Sequence, residues 1–408
     1  MSCPHMNLLD PDTYANGIPH EFFEQKRREE PLYWQEDPNT GVGFWVVTKY
    51  DDLQYISKHP EQFSSAARTA LSREMSDEDI MLQQMMLLNM DPPYHLKFRR
   101  IVNKAFIPKI VEAKLPHIRD MAKNIVDKVA ARGECEFVSE VAAELPLQVI
   151  CELMGVAQED RHMIFHNTNI MIGADDPDLS TTEDEGKMAA AEIFGYGYKI
   201  LENYRNNPNM GSGSLIDMLV AGTVDGEQLT DDEFSQFFLI LLVAGNETTR
   251  TVTANGMKLL IENPDQLQQL VDDPSLIENA VEEFLRYEPA VMQFRRTAME
   301  DVELGGQLIK KGDKVLMFYT SVNRDEDYFE TPHTFDIHRS NAKDHRSFGI
   351  GEHFCLGSHL ARLELRVMFE EIIPRLRNPK FVEKPNFMRS DFLNSMKTMP
   401  ITFDPEAA

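Results

Sequence analysis

The chain is poor in cysteine, in basic residues and in long apolar runs, and each shortage excludes something. Four cysteines in 408 residues are too few and too scattered for a disulfide framework. Cys3, Cys135 and Cys151 have no metal-ligand spacing, and the usage suits a reducing cytosol, so a cytoplasmic location is expected. No run of about 18 apolar residues occurs, so no membrane span is expected. The first residues, Met1 to Asn7, carry neither the basic nor the apolar stretch of a secretory leader. Lys and Arg total 41 against 67 Asp and Glu, a net charge of -26, which argues against nucleic acid as a partner. There is no repeat, low-complexity run or Ser/Gly-rich linker at which to divide the chain. One large domain over residues 1–408 is therefore expected, although the length alone would allow two or three.

What is present concentrates in Phe348-Gly349-Ile350-Gly351-Glu352-His353-Phe354-Cys355-Leu356-Gly357. A helical pattern follows, with Leu356, Leu360, Leu363, Val367 and Ile372 at steps of three to five. Cys355 is expected in a turn at a helix start, where outward-pointing amides lower a thiol's pKa. Gly349, Gly351 and Gly357 let the backbone take positive φ and lie against something flat. A thiolate held this way and facing a planar partner describes a cysteine-ligated haem iron. The alternatives are a buried structural cysteine and a zinc site from His353, Cys355 and His359. Zinc usually wants three or four clustered ligands, and no Cys-x-x-Cys lies nearby.

A second stretch breaks a composition rule. Thr230-Asp231-Asp232-Glu233 reads as a capping box opening a helix that runs to about Glu262 and stops at Asn263-Pro264. Its centre, Phe237 to Gly245, is apolar all round and so should be buried. Asn246-Glu247-Thr248-Thr249-Arg250 follows at once. A carboxylate and two hydroxyls inside a buried helix are unfavourable unless used. The plain alternative is that the threonines bond back to i-4 carbonyls and Glu247 pairs with an arginine.

Phe-x-x-Gly-x-His-x-Cys-x-Gly resembles the haem-binding loop of the cytochrome P450 family, and every signature position matches. Ala244-Gly245-x-Glu247-Thr248-Thr249 resembles that family's oxygen-activation motif. Four motifs stand in the family's order from about residue 30 to the end. The resemblance implies a mainly α fold with smaller β-sheets, a triangular prism of helices around a buried haem b. The β regions would lie near 30–50, where Leu32–Trp34 and Phe44–Val47 read as a strand pair around the turn Asp37–Gly41, near 290–320, and near 389–403, expected as a last hairpin; residues 64–90 read as less regular and rich in methionine. Cys355 would ligate the iron, within a loop that includes Phe348, Gly349 and Gly357. Ala244 and Gly245 would lie beside the haem, with Gly245 leaving room for dioxygen. Thr248 would hydrogen-bond the oxygen being activated, and Glu247 would relay protons from solvent. Arg99, on the helix opened by Asp91-Pro92-Pro93, matches a haem-propionate ligand, with His95 supporting it. Arg296, in competition with Arg295, and His353 match the other propionate ligands. Glu283 and Arg286 would form a structural pair with Arg339. This chain departs from the family's usual pattern at Ile337, where proline is common, and at Ser340, where an aromatic is common.

The activity implied is that of a monooxygenase. It would take electrons from a separate ferredoxin and reductase, and insert one atom of O₂ into a C–H bond of a hydrophobic small molecule. A peroxygenase of the same fold and a non-catalytic haem sensor are the competing readings; neither needs the Glu247–Thr248 pair. The segments that surround the open haem face in this family are apolar here. They are Met85 and Met86, Leu239, Ile240 and Val243, Val291, Met292 and Phe294, and Phe392 and Leu393. They point to a terpenoid or a steroid-like lipid, with a fatty acid or a small aromatic as alternatives. Residues 165–183, broken by Gly173 and Pro177, are expected as a loop, the mobile lid of the family. Residues 91–115 carry six basic residues against two acidic ones, an exception on an acidic chain that could dock an acidic partner.

Overall fold

The computed structural model describes residues 6–179, 182–207 and 215–406. Its helices include α1 (Tyr94–Asn103), α2 (Glu144–Leu153), α3 (Arg161–Ile172), α4 (Glu183–Asn206), α5 (Asp231–Glu262), α6 (Ile277–Tyr287) and α7 (Ser358–Arg375). The residues group into two compact units, each built from separated stretches of chain.

The first unit comprises the residues up to Leu96, Glu282–Cys355 and Arg389–Asn394. Its centre is a five-stranded sheet of β1 (Leu32–Gln35), β2 (Phe44–Val47), β3 (Phe63–Ser64), β4 (Gln293–Ala298) and β5 (Lys314–Phe318), in the order β1-β2-β5-β4-β3. β1 and β2 are the antiparallel pair expected around the Asp37–Gly41 turn, with Leu32 opposite Val47. β5 is buried along its whole length, because both faces of the sheet are covered. Val315 and Met317 join Val47, Leu53, Phe63 and Phe329 on one side. Leu316 and Phe318 join Phe23, Phe44, Val46 and Met292 on the other.

A buried charge network fixes the loops of this unit. Glu283 and Arg286 are both fully buried. Arg286 donates to the Glu283 carboxylate twice at 2.7 Å and to the carbonyls of Asn323 and Pro332 at 2.9 and 3.0 Å. Arg339 Nε reaches the same carboxylate at 3.2 Å, and its other nitrogens bond the carbonyls of Glu330, Thr331 and Thr334. The Asp336 amide adds a further bond to Glu283 at 3.0 Å. Position, rather than spacing, had singled out this Glu-x-x-Arg pair in the sequence.

The second unit comprises Lys97–Val281, Leu356–Met388 and the residues from Ser395 onward. α5 is its long helix, opened by the Thr230–Glu233 capping box. α2, α3, α4 and α7 all contact it. Among the described residues no helix is long and apolar enough to cross a membrane.

Four expectations need correction. Residues 165–172 are the second half of α3, so the connection to α4 is only 173–182, of which 180 and 181 lie outside the described residues. The breaking residues all stand from Gly173 onward, while Phe165, Ile170, Met171 and Ile172 continue an apolar helix. Pro92 and Pro93 precede α1 instead of forming its first turn, and the Asp91 side chain turns away to accept from Ser64 Oγ and the Ser65 amide. The 64–90 stretch holds a helix, Asp77–Gln83, capped by Ser76. Finally, 389–403 is not a hairpin. Met396–Thr398 pairs with Asn386–Phe387, and Pro400–Asp404 joins a sheet with Arg377–Phe381 and Glu134–Glu136. Those partners lie upstream, where local alternation gives no sign of them.

Removing one member of a buried charge pair leaves the other uncompensated, at about 3–5 kcal/mol. Glu283→Ala should therefore lower unfolding free energy by about that amount in urea melts. Glu30→Ala, which breaks an exposed pair with Lys26, should change it by less than about 1 kcal/mol.

Candidate active site

In the first unit the cysteine loop is held by its own backbone. The Cys355 amide donates to the Phe348 carbonyl at 2.8 Å, and the Gly349 amide to the Arg346 carbonyl at 2.7 Å. Gly349 and Gly351 have φ of +69° and +77°. A Cβ on Gly351 would stand 2.4 Å from the Ser57 carbonyl oxygen. Gly351 is thus required by the helix packed beneath the loop as well as by its φ. Cys355 is not part of a disulfide and keeps some accessible surface. Two residues further on, Gly357 is the N-cap of α7.

Beside the loop lies a set of cations and donors. The rings of His95 and His353 are 4.2 Å apart, and His95 is buried. His353 Nε2 lies 3.3 Å from Ser65 Oγ, and the Ser65 amide is fixed by Asp91 at 2.8 Å. Arg296 is 5% exposed, and its hydrogen bond goes to the Arg295 carbonyl at 2.7 Å. Among the described residues it has no ion pair. Burial pushes its guanidinium pKa down, opposed by Tyr319 and Asp91 nearby. Arg295, the competitor, is committed elsewhere, to Glu74 at 2.9 Å. Arg99 stands one turn after His95 on α1 and is half-buried. Ser65, Asp91 and Tyr319 were missed in the sequence because nothing in their local patterns marks them. The Tyr319 hydroxyl is 3.9 Å from where a Gly349 Cβ would lie.

In the second unit α5 is buried for most of its length, but one stripe is not. Ile240, Leu241, Ala244 and Thr248 keep accessible surface, Ala244 the most. Their spacing puts them on a single face. The Thr248 hydroxyl donates to the Ala244 carbonyl at 2.8 Å. Glu247 is 1% exposed and pairs with Arg250. Burial pushes its pKa up, and Arg250 opposes the rise. Gly245 also lies against a neighbouring helix. A Cβ there would lie 2.9 Å from Ile150 Cγ1, so the missing side chain lets α5 pack against α2.

The apolar candidates divide similarly. Val291, Phe294 and Phe392 in the first unit keep accessible surface, as do Ile240 and Val243 in the second. Phe294 and Phe392 meet edge to face at 5.5 Å, and Leu393 bridges to Val291. Met292 is fully buried in the sheet core, because it points to the opposite side from Val291. Leu239 and Leu393 are also core residues, 4% and 2% exposed. Met86 is buried, while Met85 is partly accessible.

A family model described as cytochrome P450 matches residues 6–403. A steroid C26-monooxygenase of Rhodococcus jostii is 38% identical over 406 residues, covering 97% of this chain and 84% of its own. A methyl-branched lipid omega-hydroxylase of Mycobacterium tuberculosis is 39% identical over 391 residues, covering 93% and 90%. A Mycobacterium marinum cytochrome P450 solved in complex with pseudoionone superposes with a TM-score of 0.90 at 34% identity, covering 99% of this chain and all of that one. The chain belongs to the cytochrome P450 family. It is a haem-binding monooxygenase.

The residues present fit haem b. In the first unit a thiol sits in a glycine loop, and a buried guanidinium has no carboxylate partner among the described residues. Bound there, the haem supplies the activation of O₂. Cys355 would be its ligand, and Arg296, His353, His95 and Arg99 would neutralise its propionates. A hydrogen bond to a charged group contributes about 1.5–3 kcal/mol, or roughly 10- to 100-fold in affinity. Arg296→Leu should therefore release haem to an excess of apomyoglobin about 10- to 100-fold faster than the wild type. Arg295→Leu should change that rate much less.

Proposed function

We propose that the enzyme hydroxylates a chain-end C–H bond of a sterol or methyl-branched lipid. The carrying observation is the apolar, accessible stripe of α5 that holds no charged side chain between Phe237 and Asn246. The partly accessible trio Val291, Phe294 and Phe392 supports it. Such surfaces suit an uncharged hydrocarbon, and offer a carboxylate no partner. The similarity to enzymes named for a steroid and for methyl-branched lipids points the same way. In this reading Thr248 binds and orients, through its hydroxyl, the oxygen being activated. Glu247 moves protons toward it. A sterol or branched lipid should shift the Soret band from the low-spin to the high-spin position at micromolar concentration. A shift produced only by straight-chain fatty acids or small aromatics would overturn the substrate reading.

Electrons come from an acidic ferredoxin-type protein with its reductase. Arg100, Lys104 and Lys109 are exposed, and Lys97, Arg100 and Lys104 line a groove of about 360 Å³ with Met218 and residues 221–225. An acidic partner steered to this basic patch loses on-rate as salt rises. Reduction by a ferredoxin should slow several-fold between low and physiological salt, and Arg100→Glu should slow it further. Rates that ignore both changes would exclude this patch.

A further inference from the structure

We propose that Arg250 and Asn169 are positioning residues for the relay acid, acting as a contact chain Asn169–Arg250–Glu247 that fixes where the carboxylate stands. The inference rests on the reading of Glu247 as that acid. Three observations carry it. Arg250 Nη2 meets the Glu247 carboxylate one turn back on α5, while Asn246 Nδ2 donates to its other oxygen at 3.0 Å. Arg250 Nη1 donates to Asn169 Oδ1 on α3 at 2.6 Å, and the guanidinium lies 6.0 Å from the Phe165 ring centroid. Glu247 and Arg250 are 1% and 6% exposed, so water does not compete for the pair.

The direction of the acid makes this arrangement matter. Successive helical residues differ by about 100°, so Glu247 projects in a different direction from its neighbour Thr248. A carboxylate clamped by Arg250 and Asn246 cannot swing freely toward the hydroxyl of Thr248. Its position is set by α3 through Asn169, and a displacement of α3 would pass directly to the acid. Phe165 and Asn169, four apart, share one face of α3.

Arg250 also sets the acid's charge. Burial favours the neutral carboxyl, and the cation opposes it. Other groups on the helices packed against α5 do not contribute to that balance. α2 presents Ile150 to α5, Glu192 of α4 is bonded to Asn167, and buried Glu364 of α7 has its pKa raised by burial alone.

The test uses the holoenzyme with five variants: Glu247→Gln, Arg250→Ala, Arg250→Lys, Asn169→Ala and Asn169→Asp. Two readouts are taken, the pH profile of product formed per NADH and the infrared carboxylic C=O band of the resting protein. The pH limb that disappears in Glu247→Gln belongs to the acid. In Arg250→Ala that limb should move up by about one pH unit, tenfold in proton affinity. At a fixed pH, the protonated-carboxyl intensity that Glu247→Gln removes should rise. Arg250→Lys should restore most of the shift. Asn169→Ala should move the limb the same way by less, and Asn169→Asp, whose added anion competes for Arg250 and repels the carboxylate, should move it up further than Asn169→Ala. Asn169→Ala carries the test if Arg250→Ala loses its haem. An altered Glu247→Gln beside unmoved Arg250 and Asn169 variants would overturn the positioning role and leave the relay acid standing. An unaltered Glu247→Gln would overturn both.

Discussion

One buried carboxylate, Glu283, decides where the loops of the first unit go. It binds Arg286 and Arg339, and their remaining nitrogens hold five backbone carbonyls between Asn323 and Thr334. Those carbonyls belong to irregular chain that has no ladder partner of its own. From Asn323 the order passes onward. Its side chain bonds Ser347 Oγ and the Arg346 amide, two residues before Gly349 and the thiolate loop. An ion pair this deep contributes little net stability against an apolar replacement. Its use is in fixing one loop path out of many.

The same logic of a buried charge put to use runs through the site. Arg296 and Glu247 are both ionisable, and both are 5% exposed or less. Arg296 lacks a carboxylate among the described residues, which fits an anionic cofactor edge. Glu247 has its cation within the same helix. In the proposed reading the difference separates their tasks: one would meet a ligand's charge, the other would pass a proton.

Much of this was legible in the sequence, and the failures share a cause. The cysteine loop, the α5 capping box and the first strand pair are local, so residue order alone discloses them. The Glu247–Arg250 pair was foreseeable as the plain alternative for a buried acid. The Gly245 contact with Ile150 was not legible because the two lie almost a hundred residues apart. Ser65, Asp91 and Asn169 escaped notice for the same reason: each acts through a distant partner. The Pro400–Asp404 strand finds its neighbours at 134–136 and 377–381, beyond any window of alternation. Sequence order also could not tell Met292 from Val291, since both are apolar and only the sheet decides which one faces the core.

Everything rests on Cys355 being the thiolate that holds the haem iron. The direct test is the absorption of the ferrous CO complex. The wild type should show the long-wavelength Soret band of thiolate ligation, and Cys355→Ala should lose it. A thiolate-type band that survived in Cys355→Ala, or a wild type absorbing at the shorter wavelength of an imidazole-ligated haem, would contradict the account.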